Sequence, residues 1–348
     1  MGSNSLEAID FKILLRKLTL NPESFTSIDT RRAINEIIND RASQAQIGSF
    51  LTIKACVVTL CKFSLKINFE SEPQGFQENL VDIVGTGGDG HNTFNVSSAS
   101  AIVSAGAGAK VAKAKKHGNR SSTSLSGSSD FLTSLNLDIE KATPERVPEV
   151  LKNSYFCFLF AAVFHPAWKI VSSVRKELGF PTIFNYLGPL CNPVRPGRMV
   201  VGVYSKELGP LMAETLLLLG AVKGLVVHGD EGLDEISPEK ETHAWLIENK
   251  TIKYLKISPE DFGLERHSLD SVKGGSSEEN ATTFRKILNN EDTDSPIRDF
   301  ILINTAAVLF VSGIAQDFKQ GVSLARESIT SGRAKAQLET SIALLHSF

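Results

Sequence analysis

Up to about residue 68, apolar positions recur at helical spacing. Ile9, Ile13, Leu14 and Leu18 share one predicted helical face. Asn21-Pro22 breaks the pattern, and Ser27 or Asp29 is placed to cap a second helix over Ala33, Ile34, Ile37 and Ile38. A third helical stretch, 43–62, is rich in Ala, Ile, Leu and Val, and the polar residues 69–78, with Pro73 and Gly75, read as a linker. From Leu80 the pattern changes. Short apolar runs at 80–84, 109–112, 155–160, 199–204 and 225–228 alternate with longer helical stretches, the mark of a parallel sheet. Helices are expected from Ser97-Ser98, over Phe131, Leu132 and Leu135 behind a Ser128-Ser129-Asp130 cap, and after Thr143-Pro144-Glu145 with its proline in the first turn. Others are expected over 168–178, 208–219, 277–288, 297–311 and 318–346. Residues 243–257 alternate around Glu248-Asn249 like an antiparallel pair. The pattern predicts an α/β fold: a mostly parallel central sheet flanked by helices over 79–348, with a smaller all-helical domain over 1–78.

Composition narrows the function classes. With 348 residues and 42% hydrophobic content, the chain can bury one large core or two modest ones. A formal net charge of −2 gives no global attraction to nucleic acid or an anionic membrane. The basic cluster Lys110, Lys113, Lys115, Lys116 and Arg120 is local, which suits a small anion. Cys56, Cys61, Cys157 and Cys191 show no Cys-x-x-Cys or Cys/His ligand spacing, so reduced and mostly buried thiols are expected. No apolar run approaches the ~20 residues that span a bilayer. Residues 1–5 are polar with no secretory core behind them, and a cytoplasmic location is expected.

The chemistry concentrates between 81 and 128. A predicted strand ends in Gly85-Thr86-Gly87-Gly88-Asp89-Gly90, whose glycines let backbone N–H groups turn closely around an anion. Ser97 and Ser98 then stand at a helix start, where free N–H groups and the helix dipole also favour phosphate. Lys116 and Arg120 add full positive charges, and Thr93, Ser97, Ser98, Ser121, Ser122, Thr123 and Ser124 add hydroxyl donors. Any one piece is ordinarily a tight turn or a helix cap; together, within one βαβ-sized span, they point to a polyphosphate. Further on, the run 225–229 leads into Gly232-Leu233-Asp234-Glu235-Ile236-Ser237-Pro238. Adjacent carboxylates on a loop are usually just solvated. Beside a phosphate loop, at the C-terminal end of a parallel strand, they suit a hard cation such as magnesium.

Three of these motifs, Gly85-Thr86-Gly87-Gly88-Asp89, Asn95-Val96-Ser97-Ser98 and Lys116-His117-Gly118-Asn119-Arg120, resemble the signatures of the anthranilate phosphoribosyltransferases. The glycine motif is shared with nucleoside phosphorylases; the Lys-His-Gly-Asn-Arg motif is not. The resemblance continues through 158–193 and 232–238. It implies transfer of a phosphoribosyl group from phosphoribosyl pyrophosphate to the amine of anthranilate, in tryptophan biosynthesis. It also implies Mg2+ held by Asp234, Glu235 and Ser97. Substrate binding would then fall to Gly85, Gly88, Asp89, Thr93, Asn95, Val96, Ser97, Ser98, the 116–124 motif residues (Lys116, His117, Gly118, Asn119, Arg120, Ser121, Ser122, Thr123, Ser124) and Ser128, with Gly85 near both substrates. Lys116, Arg120 and Asp89 would be catalytic, and Asn119, Arg175 and His165 would line the anthranilate site. The resemblance further implies a homodimer through the helical domain, with part of 166–190 packing on that domain. Asp230 and Glu231 lie near the acidic pair but do not match its motif.

Against the family pattern, Lys113-Ala114-Lys115 reads as an insertion of about three residues before Lys116, and Ala162 and Trp168 replace a usual proline and methionine. Two other readings stand beside the first. A pyrimidine nucleoside phosphorylase would use free phosphate and needs no Arg175. A non-catalytic nucleic-acid-binding relative would want an extended basic surface, which the charge balance does not supply.

Overall fold

The computed structural model describes residues 64–115, 125–165 and 188–347, with scattered positions between 10 and 41. Strand β1 (Leu80–Gly85) is buried from Leu80 to Val84 and leads through the glycine loop to α1 (Val96–Gly106), every residue of which is buried. Strand β2 (Lys110–Lys115) follows. After it come α2 (Ser128–Ser134), α3 (Val147–Asn153), β3 (Phe156–Phe160) and α4 (Ala161–Phe164). Then come β4 (Arg198–Gly202), α5 (Leu208–Leu218), β5 (Lys223–Gly229), β6 (Thr242–Glu248) and β7 (Thr251–Ile257). Helices α6 (Ser277–Leu288), α7 (Pro296–Ser312), α8 (Phe318–Thr330) and α9 (Arg333–His346) complete the described chain.

The seven strands form one sheet in the order β3-β2-β1-β4-β5-β6-β7. Pairing is parallel from β3 to β5 and antiparallel from β5 to β7. Both faces are covered in the central strands. Val226 packs with Val84, Val201 and Trp245 against α5, whereas its neighbours Leu225 and Val227 join the larger core of α1 and α7. That double burial explains why these strands read as unbroken apolar runs. The edge strand β7 is mostly exposed and carries Lys253 and Lys256, which discourage edge-to-edge pairing. The β6–β7 turn places Asn249 and Lys250 at φ 51° and 59°, as a two-residue hairpin requires.

From β1 the chain crosses to β2 on one side, and β4 later returns on the other. The crevice at this reversal lies at the C-terminal ends of β1 and β4, where Gly85 and Gly202 are register partners. Open parallel sheets place their ligands at such a reversal.

Several expectations change. The strand expected over 109–112 runs on through Lys113-Ala114-Lys115, which form the end of β2. Lys113 is fully buried and donates to the Ile83 carbonyl at 2.5 Å. It lies near the equally buried Asp82, which accepts from Asn192 at 2.8 Å. Helix α3 begins at Val147, not at Pro144, because the Thr143 hydroxyl is spent on the Glu145 carboxylate and Pro148 takes the first-turn slot. The 69–78 linker contributes to the core: Phe76 is buried, packs on Phe69 and lies 4.2 Å beneath the Lys110 ammonium. In the N-terminal region Leu14 is buried as expected, but Ile13 is exposed. The second helix is capped by Thr26 rather than Ser27 or Asp29: the Asp29 amide donates to the Thr26 hydroxyl, and the Asp29 carboxylate accepts from the Thr26 amide at 2.9 Å. Ala33 of that helix is buried as expected; the other expectations for the 1–63 region, and the helix expected over 168–178, lie outside the described residues.

Candidate active site

Glycine serves two different needs here. Gly87, Gly88 and Gly90 have φ of 69°, 86° and 79°, and a Cβ on any of them would meet nothing within 4 Å. They are needed for left-handed backbone, which curls the loop. Gly85 and Gly202 are needed for space. A Cβ on Gly85 would lie 2.9 Å from the Asp234 carboxyl carbon, and one on Gly202 would collide with the Asp234 backbone carbonyl. The acidic loop therefore sits directly on the ends of β1 and β4.

Side chains and backbone lock the two loops together. The Gly87 amide donates to Asp234 Oδ2 at 2.6 Å, and the Thr86 amide to the Gly202 carbonyl at 3.0 Å. His91 Nε2 meets the Glu231 carbonyl at 3.0 Å. Beneath the acidic loop, Leu233 and Ile236 are anchored in the core, and the buried Asn304 of α7 accepts from the Ile236 amide at 3.1 Å. Asp230 pairs with His243 at 2.6 Å and Glu231 accepts from the Ser237 hydroxyl, so both shape the loop while Asp234 faces the glycines. Asp234 is 8% exposed. Burial, and then the neighbouring Asp234 carboxylate, push the Asp89 carboxyl up to about 8.

The first turn of α1 supplies the second wall. Val96, Ser97 and Ser98 open the helix and are all buried, and the Ser98 hydroxyl has no hydrogen-bond partner in the structure. Asn95, at the cap position, spends its side chain elsewhere. Its Oδ1 accepts from Ser126 Oγ at 2.9 Å and Asn280 Nδ2 at 2.8 Å, and its Nδ2 donates to the Ser126 carbonyl at 3.1 Å. Thr93 forms an antiparallel bridge with Lys273. Ser128 opens α2 and is buried. His165 is buried at the end of α4 with Nε2 at 3.0 Å from the Cys191 carbonyl.

Lys116, His117, Gly118, Asn119, Arg120, Ser121, Ser122, Thr123, Ser124 and Arg175 lie outside the described residues. The ends of the basic loop are placed, however. β2 ends at Lys115, the register partner of Phe160 on β3, and on the far side the Leu125 amide donates to Asn92 Oδ1 at 3.0 Å.

Sequence reading missed His91 and Asn304. His91 carries no motif signal. Asn304 does: a lone amide in the apolar run Ile301-Leu302-Ile303 and Ala306-Ala307-Val308 announces a buried polar partner. Among the described residues no three His, Cys, Asp or Glu side chains are grouped to hold a metal. Magnesium takes hard oxygen donors, and the Asp234 carboxylate seated on the Gly85 turn is one. Two carboxylates crowded together, Asp89 and Asp234, also favour a cation at this place.

A glycine-cradled anion site facing an acidic loop across a sheet reversal defines a glycosyl-transfer class of protein, and residues 77–335 match the family model described as "Glycosyl transferase family, a/b domain". Within that class, the anthranilate phosphoribosyltransferase of Schizosaccharomyces pombe is 44% identical over 321 residues, covering 88% of this chain and 89% of its own length. The Saccharomyces cerevisiae enzyme, solved in complex with PRPP and Mg, superposes with a TM-score of 0.77 at 34% identity, covering 97% of this chain and 91% of that one. The same yeast enzyme with 4-fluoroanthranilate superposes at 0.75, with 33% identity and coverage of 97% and 90%. The chain belongs to the anthranilate phosphoribosyltransferase family.

Proposed function

We propose that the chain transfers the phosphoribosyl group of 5-phosphoribosyl 1-pyrophosphate to the amine of anthranilate, releasing pyrophosphate, with Mg2+ as cofactor. The observation that carries this reading is the seating of Asp234 on Gly85, Gly87 and Gly202, which joins an anion nest to a cation-binding carboxylate. Family membership and the yeast complexes with PRPP, Mg and 4-fluoroanthranilate support the substrates and the metal.

The aromatic amine is neutral at pH 7, so it attacks C1 of the ribose without a base. The demanding event is departure of a highly charged diphosphate from a carbon that becomes oxocarbenium-like. Positioning and charge stabilisation should therefore dominate. The Thr86 and Gly87 amides are spent on Gly202 and Asp234, so the amides offered to the diphosphate are those of the rest of the 85–90 loop and of the α1 N-terminus. Lys116 and Arg120 add charge to the same group. Bound magnesium, held by Asp234, Glu235 and Ser97, would neutralise the leaving oxygens. Asn119 and Arg175 would hold anthranilate, Arg175 by gripping its carboxylate. No covalent intermediate on the enzyme is involved. In the same reading the chain works as a cytoplasmic homodimer joined through a helical N-terminal domain, 1–78.

Anthranilate is fluorescent, so the test is direct. Adding phosphoribosyl pyrophosphate and magnesium to enzyme and anthranilate should extinguish the signal, with one pyrophosphate released per anthranilate consumed. Phosphate-dependent cleavage of a pyrimidine nucleoside, with no loss of anthranilate, would refute the assignment.

A further inference from the structure

A segment far away in sequence buckles the donor loop into place. Residues 272–280 connect the last 3-10 turn to α6. The Phe94 amide donates to the Val272 carbonyl at 2.9 Å, and the Gly274 amide to the Asn92 carbonyl at 2.9 Å. Asn92 Nδ2 returns a bond to the Gly274 carbonyl at 2.8 Å. The approach is so close that a Cβ on Gly274 would lie 2.7 Å from the Thr93 carbonyl oxygen.

The other end of the segment reaches the exit of the basic loop. Asn280, 3% exposed, donates to Asn95 Oδ1 at 2.8 Å and accepts from the Gly275 amide at 2.8 Å. Ser277 Oγ lies 3.0 Å from Ser126 Oγ, and Ser126 in turn bonds Asn95. Three stretches, 92–95, 125–126 and 274–280, thus share one partly buried polar network. Such a network fixes geometry because each unmet partner would be costly. The first of them leads directly into the α1 N-terminus, the described group that would meet the diphosphate.

We infer that Asn280 is a positioning residue for the phosphoribosyl donor, acting through Asn95 on the α1 N-terminus at the diphosphate site. The inference rests on the proposed function, since it names the donor as the ligand that feels the network. Anthranilate, assigned to Asn119 and Arg175, should feel it less.

The experiment compares Asn280→Ala, Asn95→Ala, the double variant and Ser277→Ala in steady-state kinetics on the full chain. Asn280→Ala should raise the KM for phosphoribosyl pyrophosphate about tenfold or more and leave that for anthranilate within about twofold. The double variant should be no worse than Asn95→Ala alone by more than about twofold, because both remove one shared bond. Should Asn280→Ala fail to fold, Ser277→Ala, which removes only one hydroxyl, should still raise the donor KM selectively. The inference is overturned if both KM values stay at wild type, or if both shift equally, or if the Asn95 and Asn280 effects multiply independently. A wild-type chain inactive with both substrates would overturn the functional reading as well; an active wild type with indifferent variants overturns the positioning role alone.

Discussion

Gly202→Ala tests the meeting of the two loops most sharply from the protein side. Gly202 ends β4 and belongs to no recognised motif. A Cβ there would collide with the carbonyl oxygen and carbon of Asp234, and its distance to Asp234 Cα would be 3.2 Å. Backbone cannot swing aside like a side-chain tip, so the acidic loop must retreat by on the order of an ångström, with overpacking costing about 1–3 kcal/mol of stability. A misplacement of that size in a positioning-dominated reaction costs on the order of 10²-fold, equivalent to about 2.7 kcal/mol of transition-state stabilisation. Gly224→Ala, on the neighbouring β5, is the control. There the nearest atom is the flexible Ile247 Cδ1 at 3.1 Å, and Asp234 is not among the atoms met. The assay is kcat/KM for both substrates across a magnesium titration, with melting temperature measured alongside. Gly202→Ala should need more magnesium and lose about 10²-fold in kcat/KM, whereas Gly224→Ala should stay within a few-fold of wild type. Equal, small losses in the two variants at equal stability would refute the claim that Asp234's placement on β4 matters to the chemistry.

Two further outcomes follow from buried carboxylates. Asp89 is raised to about 8, first by burial and then by Asp234, so the folded protein holds a proton there that an unfolded chain releases near the ordinary value of 3.8. A raised folded value means a stabilising contribution complete below pH ~4 and lost as pH climbs through 8. Magnesium competes with that proton; its stabilisation of the protein, read as a melting-temperature shift, should be larger at pH 8.5 than at pH 6, and equal shifts would contradict the pairing. Asp82 is raised to about 6 by burial, partly offset by Lys113. Lys113→Met removes that offset and raises Asp82 further, so it should destabilise by about 3–5 kcal/mol at pH 8 in urea unfolding and less at pH 5. A loss independent of pH would show that Lys113 matters only as packing.

What could be read from the chain was whatever local pattern encodes. The strand ending in Gly85 and the helix opening at Val96 follow from short motifs whose physics is local, and α6 falls where its periodicity places it. The burial of Lys113 was not legible in the basic cluster; it is explained by Asp82, some thirty residues earlier on the adjacent strand. The start of α3 shifted because the Thr143 hydroxyl donates to the Glu145 carboxylate instead of accepting from a helix amide. Asn280 and Ser277 were invisible as site residues, since their partners Asn95 and Ser126 are more than 150 residues away and only the fold brings them together.

The most direct measurement is a crystal structure of the chain with phosphoribosyl pyrophosphate and Mn2+, the metal located by its anomalous signal. The diphosphate should accept from the amides of the 85–90 loop, with the metal bridging it to the carboxylates of Asp234 and Glu235. A diphosphate bound away from the β1–β4 crevice, or a metal with neither carboxylate in its shell, would contradict the account.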